Sequence, residues 1–151
     1  MVMKQKALFK KYVRGTPAGA IVHDETVLIC HLTNAVMEII GIRAQKVHIS
    51  SRILKHLYDK KPAEEFECVL EHLHEIVKFP ERVYKNKQGK RGHFGLFKTI
   101  KNKMYFCSIE IQEGTEKTHK AVIATAFRVR DEAYLKSYEL LWSWRDDAPS
   151  S

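Results

Sequence analysis

The sequence predicts an α+β fold in which a helical N-terminal half packs on a four-stranded antiparallel sheet and a C-terminal helix closes the chain. Three observations carry that expectation. Apolar residues recur at helical spacing between Ser51 and Lys78, the period switches to alternation after Pro80, and the alternating runs are joined by links as short as Lys101-Asn102-Lys103. Links of that length favour antiparallel neighbours, and helices gathered on one face of such a sheet make an α+β architecture.

The first 32 residues are the least readable. Val27, Leu28, Ile29 and Leu32 fit a buried strand or the start of a helix equally well. A helix is expected over Asn34–Ile40, capped by Thr33 or Asn34, with Val36, Ile39 and Ile40 as its apolar face and Gly41 as its stop. Lys46–Ile49 reads as a short strand. Ser50 or Ser51 then caps a helix to about Lys60 that turns Ile53, Leu54 and Leu57 inward. Pro62 opens the next helix, because a proline lacks the N–H that the first turn leaves unpaired, and Glu64 and Glu65 suit the positive helix end. Phe66, Val69, Leu70, Leu73 and Val77 follow on one stripe, and Pro80 ends it. Strands are expected at Arg82–Lys85, His93–Ile100, Met104–Gln112 and Lys120–Arg128, with Glu113-Gly114-Thr115 as a second hairpin link. A last helix, Glu132–Trp144, would carry Tyr134, Leu135, Tyr138, Leu141 and Trp142 inward, ahead of a frayed tail over 145–151. No linker divides the chain, so residues 1–151 read as one domain.

Composition narrows the function. Apolar residues at 44% and charged residues at 29% favour a globular chain over a disordered one. Cys30, Cys68 and Cys107 lie far apart without CxxC spacing, which suits reduced thiols and a cytoplasmic setting. The N-terminus lacks the apolar core of a signal peptide, and no apolar run approaches the roughly 18 residues of a membrane span. The formal net charge is +8. Arg82 to Ile109 holds eight basic residues and no acid, and Lys4 to Arg14 holds five and no acid. Such clustering is the footprint of a polyanion-binding surface, although a solvated lysine-rich loop would also produce it. Arg52, Lys60, Lys85, Lys87, Lys90, Arg91, Lys101 and Lys103 are the expected nucleic-acid contacts. Tyr84, Phe94, Phe97 and Tyr105, interleaved with the lysines, suit base stacking and favour RNA as the partner, although the core could equally claim them.

No metal site and no cofactor are expected. Cys68, His72 and His74 share a helix, but offsets of 4 and 6 do not bring all three to one face. No phosphate-cradling glycine motif and no nucleophile elbow occurs. Three polar residues look misplaced. His56 shares a stripe with Arg52 and Lys60, whose charges would keep its imidazole neutral and available as a base, unless it is an ordinary half-exposed helix histidine. Lys98 alternates in parity with Phe94, Leu96 and Ile100, so it either snorkels or enters a site. Thr125 alternates with Ile123, Phe127 and Val129, and its hydroxyl either bonds a carbonyl or meets a phosphate oxygen.

Taken together, Gly41–Lys61 (GIRAQKVHISSRILKHLYDKK), Pro80–Tyr84 (PERVY), the basic hairpin and the close AVIATAFRVRDEAYLKSYELLW resemble phage-encoded nuclease-like domains of the barnase–EndoU–colicin–RelE group. The resemblance covers roughly residues 33–144. It implies metal-independent endoribonuclease activity of phage or bacterial toxin type, in which the neighbouring 2′-OH attacks the phosphate. On these residues His56 would be general acid or base, Lys98 and Arg82 would stabilise the crowded phosphate, Thr125 would orient it, and His93 is a further candidate. Two other readings remain open: a non-catalytic RNA-binding module of the same fold, and a basic domain that meets an acidic inhibitor or immunity protein.

Overall fold

The computed structural model describes residues 4–87, 93–113 and 119–144. In chain order the elements are α1 (Lys4–Tyr12), β1 (Thr26–His31), α2 (Asn34–Ile40), β2 (Ala44–Ser50), α3 (Ser51–Lys60), α4 (Ala63–Lys78), β3 (Arg82–Asn86), β4 (Phe94–Ile100), β5 (Lys103–Glu113), β6 (His119–Val129), a 3-10 helix (Glu132–Ser137) and β7 (Tyr138–Ser143). Among the described residues no helix is long and apolar enough to cross a membrane.

Local chemistry sets most of these boundaries. The Thr33 hydroxyl accepts the Val36 N–H at 3.3 Å to open α2, and Gly41 closes it in the left-handed conformation at φ 72°. Ser50 caps α3 by accepting the Ile53 N–H at 3.2 Å. Ser51 is buried instead. Its hydroxyl accepts the Glu25 N–H at 2.8 Å and donates to the His23 carbonyl, which pins the segment ahead of β1 to the start of α3. Pro62 precedes α4, whose first turn carries Glu64 and Glu65.

The sheet departs from the expected one. It has seven strands in the order β1-β2-β6-β5-β4-β3-β7, and it is mixed, not four-stranded and antiparallel. β2 runs parallel to β6, whereas every other neighbouring pair is antiparallel. The N-terminal half is therefore not helical alone, because it supplies the two strands at one edge. Pairing of β2 with β6 joins residues some seventy positions apart (Val47 with Ala121), a partnership no local pattern announces.

The closing helix expected over Glu132–Trp144 is also corrected. Only Glu132–Ser137 is helical, as a 3-10 turn capped by Asp131, and Tyr138–Ser143 forms an edge strand on β3. Without β7, β3 would present a row of unpaired backbone groups, so the tertiary demand for pairing overrides the helical spacing of the apolar residues.

Side chains alternate across the sheet and build a core on each face. Leu96, Cys107 and Ala126 form one cross-strand row, which joins the main core under the helices with Leu54, Leu57, Leu73 and Ile76. The next row, Phe97, Phe106 and Phe127, lies on the opposite face and belongs to a smaller core with Tyr84, Val129 and Leu135. The helices are wrapped by the sheet: α2 links β1 to β2 at one edge yet packs against β3 and β7 at the other. α1, unreadable in the sequence, docks on α3, α4 and β1 through Leu8 and a ring cluster in which Phe9 lies 5.5 Å from Tyr58 and 5.0 Å from Phe66.

Candidate active site

A groove of about 530 Å3 lies between α3 and the β5–β6 pair, lined by Asp24, Arg52, His56, Glu110 and Lys120 over a floor that includes Val122 and Ala124. Each side chain has a local reason to be there. Arg52 and His56 are exposed and one turn apart on α3, because Leu54 and Leu57 claim the other side of the helix for the core. Asp24 is presented by the Ser51 tie to its two neighbours. Glu110 pairs with Val122 and Gln112 with Lys120, so the carboxylate and the ammonium are diagonal neighbours on one sheet face.

The cationic character continues across that face. His31 pairs with Lys46, and His48 pairs with Val122, beside Lys120. Burial, then the charges of Lys120, Lys46 and His31, hold the His48 imidazole below its ordinary value of 6.5. Its Nδ1 is buried without a hydrogen-bond partner. A carboxylate and an imidazole flanked by two cations can take and return protons at a phosphate while neutralising its charge.

The residues expected from sequence fall in several places. His56 and Arg52 share the groove. Thr125 lies beside it, in an adjoining groove with Lys61, Phe127 and Tyr134. Its parity with Ile123 does not survive folding. A bulge moves the pairing from Ser108–Thr125 to Ile109–Ile123, so Ile123 enters the main core while Thr125 and Phe127 point to the other face. Lys98 reaches the end of α4 and donates to the Phe79 carbonyl at 2.7 Å. Arg82 stacks over Phe97 at 4.7 Å, within 3.6 Å of Glu132. His93 is exposed, and its Nδ1 accepts the Ile111 N–H at 2.9 Å. Lys98, Arg82 and His93 do not line the His56 groove.

The basic stretch likewise disperses. Lys85 pairs across strands with Glu139, Lys103 lies 3.9 Å from Glu64, and Lys60, Lys87 and Lys101 are exposed at the end of α3, just after β3 and in the β4–β5 turn. Lys90 and Arg91 lie outside the described residues. The aromatics assigned to stacking are core instead: Tyr84, Phe94, Phe97 and Tyr105 are each at most 6% exposed. Sequence reasoning missed Glu110, Lys120 and Asp24. Glu110 and Gln112 do share one parity in β5, a polar pair that signals a wet face, but only the pairing with β6 and the position of α3 show what that face meets.

Among the described residues no group of three or more His, Cys, Asp or Glu gathers to hold a metal ion. No family model matches the chain, and no curated protein and no solved structure matches it. The class that fold and groove define is therefore a basic α+β domain with a polar groove beside one helix.

Proposed function

We propose that the chain is an endoribonuclease that cleaves RNA without a metal in the groove between α3 and β5–β6. The observation that carries this reading is the sharing of one groove by His56, Glu110, Arg52 and Lys120. In this reaction a base takes the proton of the 2′-OH, the 2′-oxygen bonds to phosphorus, the bond to the 5′-oxygen breaks, and an acid protonates the departing oxygen. Glu110 serves as the base and His56 as the acid, while Arg52 and Lys120 stabilise the charge that builds on the phosphate oxygens. DNA is spared because it lacks the nucleophile.

The test is incubation with end-labelled single-stranded RNA in EDTA. Products ending in 2′,3′-cyclic phosphate are expected, and His56→Ala and Glu110→Gln should each slow cleavage by about 10²–10⁴-fold, the usual contribution of a positioned acid or base. Unchanged cleavage in His56→Ala would remove the assignment. Binding should weaken with salt with a log–log slope of about −3.5 if about five phosphates are neutralised. RNA that binds in this way and stays intact would make the domain a binding module.

A further inference from the structure

The groove that adjoins the His56 site is aromatic where that site is charged. It has a volume of about 380 Å3, and its wall is built from Phe127, Tyr134 and Tyr138. Tyr134 is 52% exposed although it packs against three other rings, Phe106, Phe127 and Tyr138. Its position is set from beneath. Phe127 lies 5.1 Å away at an interplanar angle of 83°, Tyr138 lies 6.0 Å away, and the fully buried Phe106 stands 5.5 Å from Phe127. The 3-10 turn that carries Tyr134 is held by Asp131, which accepts the Ala133 N–H at 2.9 Å. The exposed ring is thus a supported platform, which lowers the entropic cost of stacking on it.

Cations rim the platform. The Lys61 ammonium stands 5.3 Å over the Phe127 ring, and Arg128 lines the same groove. Arg130 is also at the rim, paired at 2.5 Å with the buried carboxylate of Glu65. The two grooves are continuous along the chain: Ala124 lines the His56 groove and Thr125 the aromatic one, and α3 runs from Arg52 and His56 towards Lys61. Four residues of α3 at about 1.5 Å each carry the chain about 6 Å along the axis from His56 to Lys60, and Lys61 follows as the extended cap, within reach of adjacent nucleotides on one strand.

We propose that this groove is a nucleobase subsite, in which an unpaired base of a single-stranded RNA stacks on Tyr134 against Phe127 while Lys61 and Arg128 hold the neighbouring phosphates. The proposal rests on the RNA reading of the His56 groove and adds that the substrate must be single-stranded there. A base held in a duplex presents no face to an aromatic ring, whereas sequence-tolerant stacking between rings and cations is how single strands are gripped.

The experiment measures fluorescence anisotropy of a labelled oligoribonucleotide in the His56→Ala background, which keeps the probe whole. Three probes of one length are used: the single strand, its duplex, and a strand made abasic at one position at a time. The single strand should bind more tightly than the duplex. Tyr134→Ala should weaken single-strand binding by about thirtyfold, a mid-range value for loss of one stacked base, and Tyr134→Phe should retain it. On the strand abasic at the stacked position the Tyr134→Ala loss should vanish, because base and ring interact with each other. Lys61→Gln should flatten the salt slope by about one phosphate. A Tyr134→Ala loss of equal size on the base-containing strand and on every abasic strand, or no loss at all, would overturn the subsite. RNA bound with this Tyr134 dependence but never cut by the parent protein leaves the subsite standing and removes the cleavage reading. Cleavage with indifference to Tyr134 does the reverse.

Discussion

Among the described glycines Gly95 is the one at which an added methyl group would meet other atoms. A Cβ built there would sit 2.5 Å from Cε2 and 3.0 Å from Cε1 of Phe106, and closer still to Cζ. Ordinary contact begins near 3.4 Å, so Gly95→Ala forces the whole Phe106 ring to move. The ring has nowhere easy to go, being fully buried with Phe127 at 5.5 Å, Tyr138 at 5.0 Å and Tyr84 at 6.2 Å. Overpacking of this kind costs about 1–3 kcal/mol. Three ring atoms inside contact put Gly95→Ala at the upper end, and the backbone gain of about 0.5–1 kcal/mol on replacing a strand glycine offsets part of it. The net expectation is a loss of about 2 kcal/mol. With a urea slope of about 2 kcal/mol/M, the unfolding midpoint should fall by about 1 M with the slope unchanged. In a Phe106→Leu background the same substitution should cost much less, since the two effects share one space and are not additive. A midpoint that stays put or rises in Gly95→Ala would refute the close packing of β4 on the smaller core. That core also supports Tyr134, so single-strand binding should weaken together with stability.

Lys98→Ala should lower stability by about 0.5–1 kcal/mol, through loss of the charged donor at the carboxyl end of α4, and leave RNA cleavage at the parent rate; a tenfold slower reaction would bring Lys98 back into the site. His48 resists protonation in the folded state, so the unfolded chain binds the proton first. Stability should therefore fall as pH drops below about 6.5 and level off once the folded imidazole also titrates; thermal unfolding across that range should show a shallower decline in His48→Gln, and an identical decline would contradict the assignment. Burial pushes the Cys30 thiol up to about 11 and the Cys107 thiol higher still, while Cys68 is half-buried. Native protein at pH 8 should thus show one fast-reacting thiol, with all three reacting in urea; three fast thiols in the native state would be inconsistent with that packing.

The elements that rest on local chemistry were legible in the amino-acid order. Thr33 and Gly41 bracket α2, Ser50 opens α3, Pro62 with Glu64 and Glu65 opens α4, and the alternation after Pro80 marks β3 to β6. Each of these signals acts over a few residues, through a cap, a fixed φ or a period, and so needs no distant partner. The exposed polar stripe of α3 formed by Arg52, His56 and Lys60 was legible for the same reason.

Tertiary structure alone decided the rest. Pairing of β2 with β6 and of β7 with β3 depends on which edges remain unsatisfied once the chain has collapsed, and that demand turned an apparently helical stretch at Tyr138–Ser143 into a strand. The bulge opposite Ser108 sent Thr125 and Ile123 to opposite faces, although they share parity along the chain. The same sorting spread the described members of the basic stretch from Arg82 to Lys103 over three strands and the turns beside them, and it brought His56, Asp24, Glu110 and Lys120 around one groove. Charge density along a chain is a one-dimensional quantity. A strand divides its residues between two faces and a sheet chooses their neighbours, so the field at a surface is settled only when the sheet is complete.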